Sequence, residues 1–199
     1  MRRIVLFVDY QNAYMQARRC FGGPHAPSRS GQFDPLALGD LVVEHRRALG
    51  LPGRLHQVRV YRGLADARRD FHTNMAARRQ QVSWTRDPRV VVITRPLRYP
   101  AGGRPQEKGI DVRLAVDFVA MALRDEYDVG VLMSHDTDLV PALEAVVDLA
   151  PAVGVEVAAW APDARRINRL RVPGRRIWCH HLSTGDYAAV ADAHDYARP

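Results

Sequence analysis

The sequence predicts an α/β domain of three layers, α/β/α, around a mostly parallel central sheet, and three observations predict it. Short apolar runs at 3–8, 90–94 and 129–133 alternate with stretches of helical spacing, the pattern of repeated strand–helix units. The first and last of these runs are apolar almost throughout, as expected of strands covered on both faces. Both end next to acids that open the following helix, Asp9 after the first and Asp136 and Asp138 after the last, which is how a strand feeds a helix N-terminus. The 199 residues are enough for one such domain, 1–199, with a peripheral C-terminal segment from about 177.

Taken in order, residues 3–8 form a strand ending at Asp9, and residues 10–20 have the composition of a helix leaving the sheet. Residues 21–32, rich in Gly, Pro and Ser, read as a surface loop. Asp34 as N-cap and Pro35 as first helical position open a helix that closes at Gly50, with Arg46 and Arg47 in its last turn. A strand over 56–61 precedes a helix over 66–81 that carries Arg68, Arg69, Arg78 and Arg79. The strand at 90–94 runs into R-P-L-R-Y-P-A-G-G-R-P-Q-E-K at 95–108, a basic loop with too much Pro and Gly for a helix. Residues 109–127 are a periodic helix with a core stripe of Leu114, Ala115, Phe118 and Ala122, and Asp111 lies in its first turn. Beyond the strand at 129–133, helical spacing resumes at Leu139. A strand at 155–160, an arginine-rich segment at 163–176, a last strand at 177–182 and a docked helical stretch at 186–196 complete the chain.

Composition narrows the function classes. With 47% apolar and 26% charged residues the chain is globular rather than disordered. The apolar run at 4–8 is stopped by Asp9, too soon for a signal segment or a membrane span, so a cytoplasmic protein with no membrane partner is expected. Cys20 and Cys179 are isolated, which indicates neither a zinc ribbon nor a disulfide framework. A net charge of +7 favours a polyanionic partner. The arginine count is a weak part of that signal, because 28 Arg beside a single Lys reflects a coding bias as readily as a binding demand. The oligomeric state is not legible, and a homodimer stays open.

Four acids fall on the carboxyl edge of the expected sheet, where open α/β sheets bind ligands. Asp9 and Asp136 end strands, while Asp111 and Asp138 begin helices. Any one of them alone reads as a helix cap. Held together they repel one another, and a divalent cation relieves that repulsion; hard oxygen ligands select Mg²⁺ or Mn²⁺. Asp117, six residues past Asp111, faces elsewhere and suits an i,i−4 pair with Arg113.

These residues also carry a family resemblance. F-V-D-Y-Q-N at 7–12, E-K-G-I-D-V at 107–112 and S-H-D-T-D-L at 134–139, in that order and spacing, resemble the motifs of the NYN domains, the branch of PIN-like nucleases that includes the LabA-like bacterial proteins. The resemblance spans most of the chain. It implies a PIN-like fold and Mg²⁺- or Mn²⁺-dependent cleavage of RNA phosphodiesters, with Asp9, Asp111, Asp136 and Asp138 as metal-binding and catalytic acids. Asn12 would orient Asp9 or a metal-bound water. The third motif departs from the family at His135, where Gly is common; His135 then reads as a pocket wall or a substrate contact beside Ser134 and Thr137, against the commoner role of a lone His as a local hydrogen-bonding residue.

Lys108, the single lysine, stands three residues before Asp111, where a mobile ammonium can reach a scissile phosphate. Arg95, Arg98 and Arg104 of the basic loop, and the arginines of 163–176, would hold the backbone of single-stranded RNA, with Tyr10, Tyr14 and Tyr99 as stacking candidates. His180 and His181 are neighbours on one strand and point to opposite faces, which argues against a shared metal. Two rivals remain. One is an RNA-binding or regulatory module of the same fold with little or no turnover. The other is a small-molecule phosphohydrolase, disfavoured in its haloacid-dehalogenase form because Gln11 stands where a second Asp is needed.

Overall fold

The computed structural model describes residues 1–23, 25–162 and 169–198. Six strands, β1 (Arg3–Asp9), β2 (Arg54–Leu64), β3 (Val90–Pro96), β4 (Val129–Met133), β5 (Gly154–Trp160) and β6 (Trp178–Leu182), form one sheet in the order β3-β2-β1-β4-β5-β6. Every neighbouring pair is parallel. The helices are α1 (Tyr10–Phe21), α2 (Pro35–Ala48), α3 (Phe71–Trp84), α4 (Ile110–Leu123), α5 (Val140–Leu149) and α6 (Thr184–Val190).

β1 lies at the centre because its sequence suits no other place. Residues Ile4 to Val8 are fully buried, and their side chains alternate between two separate cores. Ile4, Leu6 and Val8 pack in the layer formed by α1, α2 and Trp84 of α3, while Val5 and Phe7 pack under α4 and α5. Phe7 meets Phe118 and Tyr127 edge-on at centroid distances of 5.0 and 5.5 Å. The second glycine-like position in V-G-V-L-M serves this cluster: a Cβ at Gly130 would come within 2.7 Å of the Tyr127 ring.

The elements differ from the sequence-based expectations at their ends. The expected helix at 66–81 starts only at Phe71, capped by Asp70, so Arg68 and Arg69 belong to the preceding turn. α4 stops at Leu123, where Asp125 takes a left-handed φ of 55°. The loop at 21–32 contains a 3-10 turn, Ser28–Gly31, and another, Thr137–Leu139, separates β4 from α5. α6 ends at Val190, and Ala191 then pairs with Phe33 as an isolated bridge. Of the arginine-rich segment, residues 163–168 lie outside the described residues. No helix among the described residues is long and apolar enough to cross a membrane.

α2, which reads from sequence as plain scaffold, carries a charge inward. Arg46, only 3% exposed, donates to Glu156 of β5 through Nη1, and His180 of β6 is 2.9 Å from the other Glu156 oxygen. Burial, with the nearby charges of His45 and Arg46, pushes the His180 pKa down to about 4. Arg46 already neutralises Glu156, so His180 stays uncharged. Two outcomes are expected in chemical denaturation. Arg46→Met leaves a carboxylate buried without its cation and costs about 3–5 kcal/mol, part of which Glu156→Gln restores in the same background. Because the unfolded His180 binds its proton near pH 6.5, its contribution is intact above that pH and declines as pH falls toward 4.

Candidate functional site

β1 sits where the chain order of the sheet reverses: β2 follows on one side and β4 returns on the other. The carboxyl ends of β1 and β4 therefore frame a crevice. Asp9 ends β1 and caps α1, its Oδ1 accepting the Asn12 backbone N–H at 3.3 Å. Its Oδ2 accepts the Ser134 hydroxyl at 2.9 Å. The same Ser134 oxygen accepts the Asp136 N–H at 3.0 Å, and Asp136 in turn accepts the Asp138 N–H at 3.0 Å. Asn12 completes the lattice by accepting the His135 N–H at 2.9 Å. One chain of hydrogen bonds thus runs from β1 through the whole S-H-D-T-D turn.

Asp9 is 8% exposed, and that burial raises its pKa to about 6. The hydrogen bonds from Ser134 and Asn12 pull it back in part, and the charges of Glu107 and Asp136 push it further up. Glu107 is likewise raised, by burial first, with the charge of Asp111 adding to it. The negative fields of these acids overlap, which is the electrostatic condition a divalent cation relieves.

A cleft of about 590 Å³ opens here, lined by Asp9, Asn12, Glu107, Lys108, Asp111 and Asp136, with Met15 and Arg19 of α1 on its wall. Asp111 reaches it from the first turn of α4. That helix begins at Gly109, whose φ of +74° makes the sharp turn a side chain would strain. The donor set is all hard oxygen and suits Mg²⁺ or Mn²⁺. Yet no group of three or more His, Cys, Asp or Glu side chains among the described residues is arranged to hold a metal ion as it stands. A cation would have to draw the carboxylates together.

The structure thus brings Asp9, Asn12, Lys108, Asp111 and Asp136 to one cleft and leaves other expected residues out of it. Asp138 is exposed and absent from the lining, because the 3-10 turn rotates it away from the cleft. Ser134, expected at the substrate, is 1% exposed and spends its hydroxyl on Asp9. Asn12 orients Asp9 through its backbone N–H, and its side-chain oxygen accepts the His135 N–H; His135 and the exposed Thr137 lie outside the lining. Arg95 buttresses the start of α4, donating to the Gly109 carbonyl at 3.1 Å. Arg98 and Arg104 are exposed on a loop pinched by the Arg98 and Gln106 bridge. Tyr10 belongs to the core, with its ring 4.9 Å from Trp84; Tyr14 stacks on it, and Tyr99 accepts the Asp66 N–H. Asp117 pairs with Arg113 as its spacing implies, and also with Arg59. Glu107 is the residue the sequence reading missed, although it stood inside a quoted motif.

A family model described as NYN domain matches residues 3–166, a span that holds every lining residue named above. A crystal structure of a protein of unknown function from Vibrio parahaemolyticus is similar in fold, with a TM-score of 0.54 at 18% identity, covering 79% of this chain and 80% of that one. No match is found among curated proteins.

The raised Asp9 pKa fixes a sign. The folded state holds the proton up to about pH 6, the unfolded chain only to about 3.8, so wild type loses stability as pH rises through that window. Asp9→Asn keeps the shape, accepts one of the two hydrogen bonds through its single carbonyl oxygen, turns its amide as a donor toward the other partner position, and removes the buried charge. In chelator at pH 7.5 it is expected to unfold later than wild type, by about 2 kcal/mol, and at pH 3.5 the two should melt together. A lower melting point at pH 7.5 would contradict the buried-charge account.

Proposed function

Because the chain belongs to the NYN domain family, a group of PIN-like nucleases, we propose that it is a ribonuclease that hydrolyses phosphodiester bonds of single-stranded RNA with Mg²⁺ or Mn²⁺. The observation that carries this reading is the cleft at the β1 and β4 ends, where three aspartates from three elements, Asp9, Asp111 and Asp136, line one wall system beside a lysine. Those three would hold the cation. When bound, it supplies positive charge where negative charge builds up on the phosphoryl oxygens.

The chain's own residues supply the rest. Asp9 is ionised above about pH 6 and is fixed in place by Ser134 and Asn12, so its oxygens need no reorientation when a substrate enters. Ser134 is a positioning residue, since it touches Asp9 and the backbone of Asp136 but not the cleft. Lys108 is exposed on the cleft rim, where its ammonium can pair with the phosphate under attack. Arg98 and Arg104 of the exposed loop add charge along the path of the backbone.

One observation favours a second reading, an RNA-binding module without turnover: the acids are not gathered into a ready metal site. A cleavage assay separates the two. Single-stranded RNA should be cut with Mg²⁺ or Mn²⁺ and left whole in chelator. Asp9→Asn and Asp136→Asn should each lower the rate by at least roughly 100-fold, while Asp138→Asn should stay within a few-fold of wild type. Cutting that survives chelator and both variants would sink the nuclease reading, and binding without cutting would establish the module. In binding to the Asp9→Asn protein, Arg98→Glu together with Arg104→Glu should weaken affinity and flatten its salt dependence by roughly one to two in slope. An unchanged slope would show that the loop lies off the RNA path.

A further inference from the structure

Beside the acidic cleft a second hollow, of about 460 Å³, opens at the carboxyl ends of β2 and β3, and the two share Gln11 and Glu107 as a partition. Its size is that of a small-ligand site. Ala65, Ala77, Leu97 and Pro105 supply apolar wall, and Gln11 and Thr73 add neutral polar groups. Its two charges are opposite in sign. Arg62, near the end of β2, lies with its guanidinium 5.0 Å from the Tyr10 ring centroid and 5.8 Å from that of Trp84, and donates from Nη1 to Gln80 at 2.6 Å. Its Nε is buried away from the hollow, so the donor that Arg62 has left for a ligand there is Nη2, which makes no hydrogen bond among the described residues. Glu107 is half-buried and spends Oε1 on the Gly63 N–H. A Cβ at Gly63 would stand 2.7 Å from that oxygen and 2.3 Å from Leu97, so a larger residue there would push both side chains aside.

Arg62 and Glu107 face the same hollow, and among the described residues no ion pair joins them. Each is fixed by other partners, so the gap between them is built in. Desolvated donors and acceptors left unused are costly, and a ligand that satisfies both at once gains by it. A phosphate does not, since the carboxylate repels it. Uracil offers one donor between two acceptors, and adenine and cytosine each offer a lone amino group rather than a paired N–H edge for the carboxylate. Guanine offers O6 and N7 as an acceptor pair that fits an arginine fork, and N1–H with N2–H₂ as donors for a carboxylate. We propose that this hollow binds a guanine base, that of the nucleotide next to the cleaved bond, with Arg62 donating to O6 and N7 and Glu107 accepting from N1–H and N2–H₂. The inference rests on the ribonuclease reading for the position of that nucleotide, and the hollow itself can be probed without cleavage.

The test titrates the four nucleoside 5′-monophosphates into the protein in chelator, followed by NMR, and maps the cuts made in a mixed-sequence single-stranded RNA with Mn²⁺. GMP should bind about ten-fold more tightly than the other three, and cuts should cluster beside G. Arg62→Met should erase the GMP preference. Because Arg62 packs against two aromatic rings and its loss can disturb the fold, Thr73→Trp on the exposed rim is the second variant. It fills the hollow from outside and should likewise remove the preference in a protein that melts as wild type. Equal binding of all four nucleotides, a preference for AMP, or a GMP preference that survives Thr73→Trp would each overturn the proposal. If GMP is preferred and RNA is never cut, the ribonuclease reading falls and the guanine site stands. If RNA is cut without regard to base and GMP is not preferred, the guanine site falls alone.

Discussion

A carboxylate buried between two parallel strands is the constraint from which the rest of the site follows. Asp9 has lost most of its hydration where it stands, so its charge is favoured only when it is hydrogen-bonded or paired with a cation, and otherwise it holds a proton. Two hydrogen bonds come from nearby, one from Asn12 in the same turn and one from Ser134 across the β1 and β4 seam. Meeting that demand also folds the loop after β4, since Ser134 and Asn12 each hold the backbone of the residues that follow. What the hydrogen bonds leave over appears as a pKa near 6. The site keeps a standing preference for positive charge because its central acid is never fully satisfied by the protein alone.

The strands and most helices were legible because burial writes itself into the sequence as apolar runs and periodicity. β1 and β4 are read from their unbroken apolar character, and Asp9 and Asp136 from their place immediately beyond it. Asp138 was misplaced for a geometric reason. The sequence places an acidic turn between β4 and a helix from Leu139, with Asp138 at the helix start; that turn is a 3-10 turn, Thr137–Leu139, in which Asp138 is exposed. Glu107 could not be ranked at all from pattern, since it lies in a Pro- and Gly-rich loop and its place is fixed by the Gly63 N–H, 44 residues away. Tyr10 and Ser134 sit at the expected edge and still point into the protein, because the first residue of a helix and the first beyond a strand are turned by packing that no local pattern records.

The basic composition also means less than its sum. Arg3, Arg46, Arg59, Arg89 and Arg113 are each committed to an acid of the protein itself, and Arg95 to a carbonyl. Lys108 on the cleft rim and Arg98 and Arg104 on the loop before it are among the exposed basic side chains left outside such pairs. The acids do the opposite: the fold gathers several of its carboxylates at one edge, so a chain with a net charge of +7 presents a negative cleft within a positive surface.

The position of β1 has a consequence for biosynthesis. β1 needs both neighbours, and the partner of Ile4 in β4 is Val129. As the chain leaves the ribosome, one edge of a central strand with five fully buried apolar residues waits for a partner 125 residues downstream, roughly ten seconds at ordinary elongation rates. Until β4 docks, Asp9 is a solvated carboxylate with an ordinary affinity for protons and no cleft around it. The acidic pocket is thus a late product of assembly, and a chain released early carries a sticky central strand and no working site.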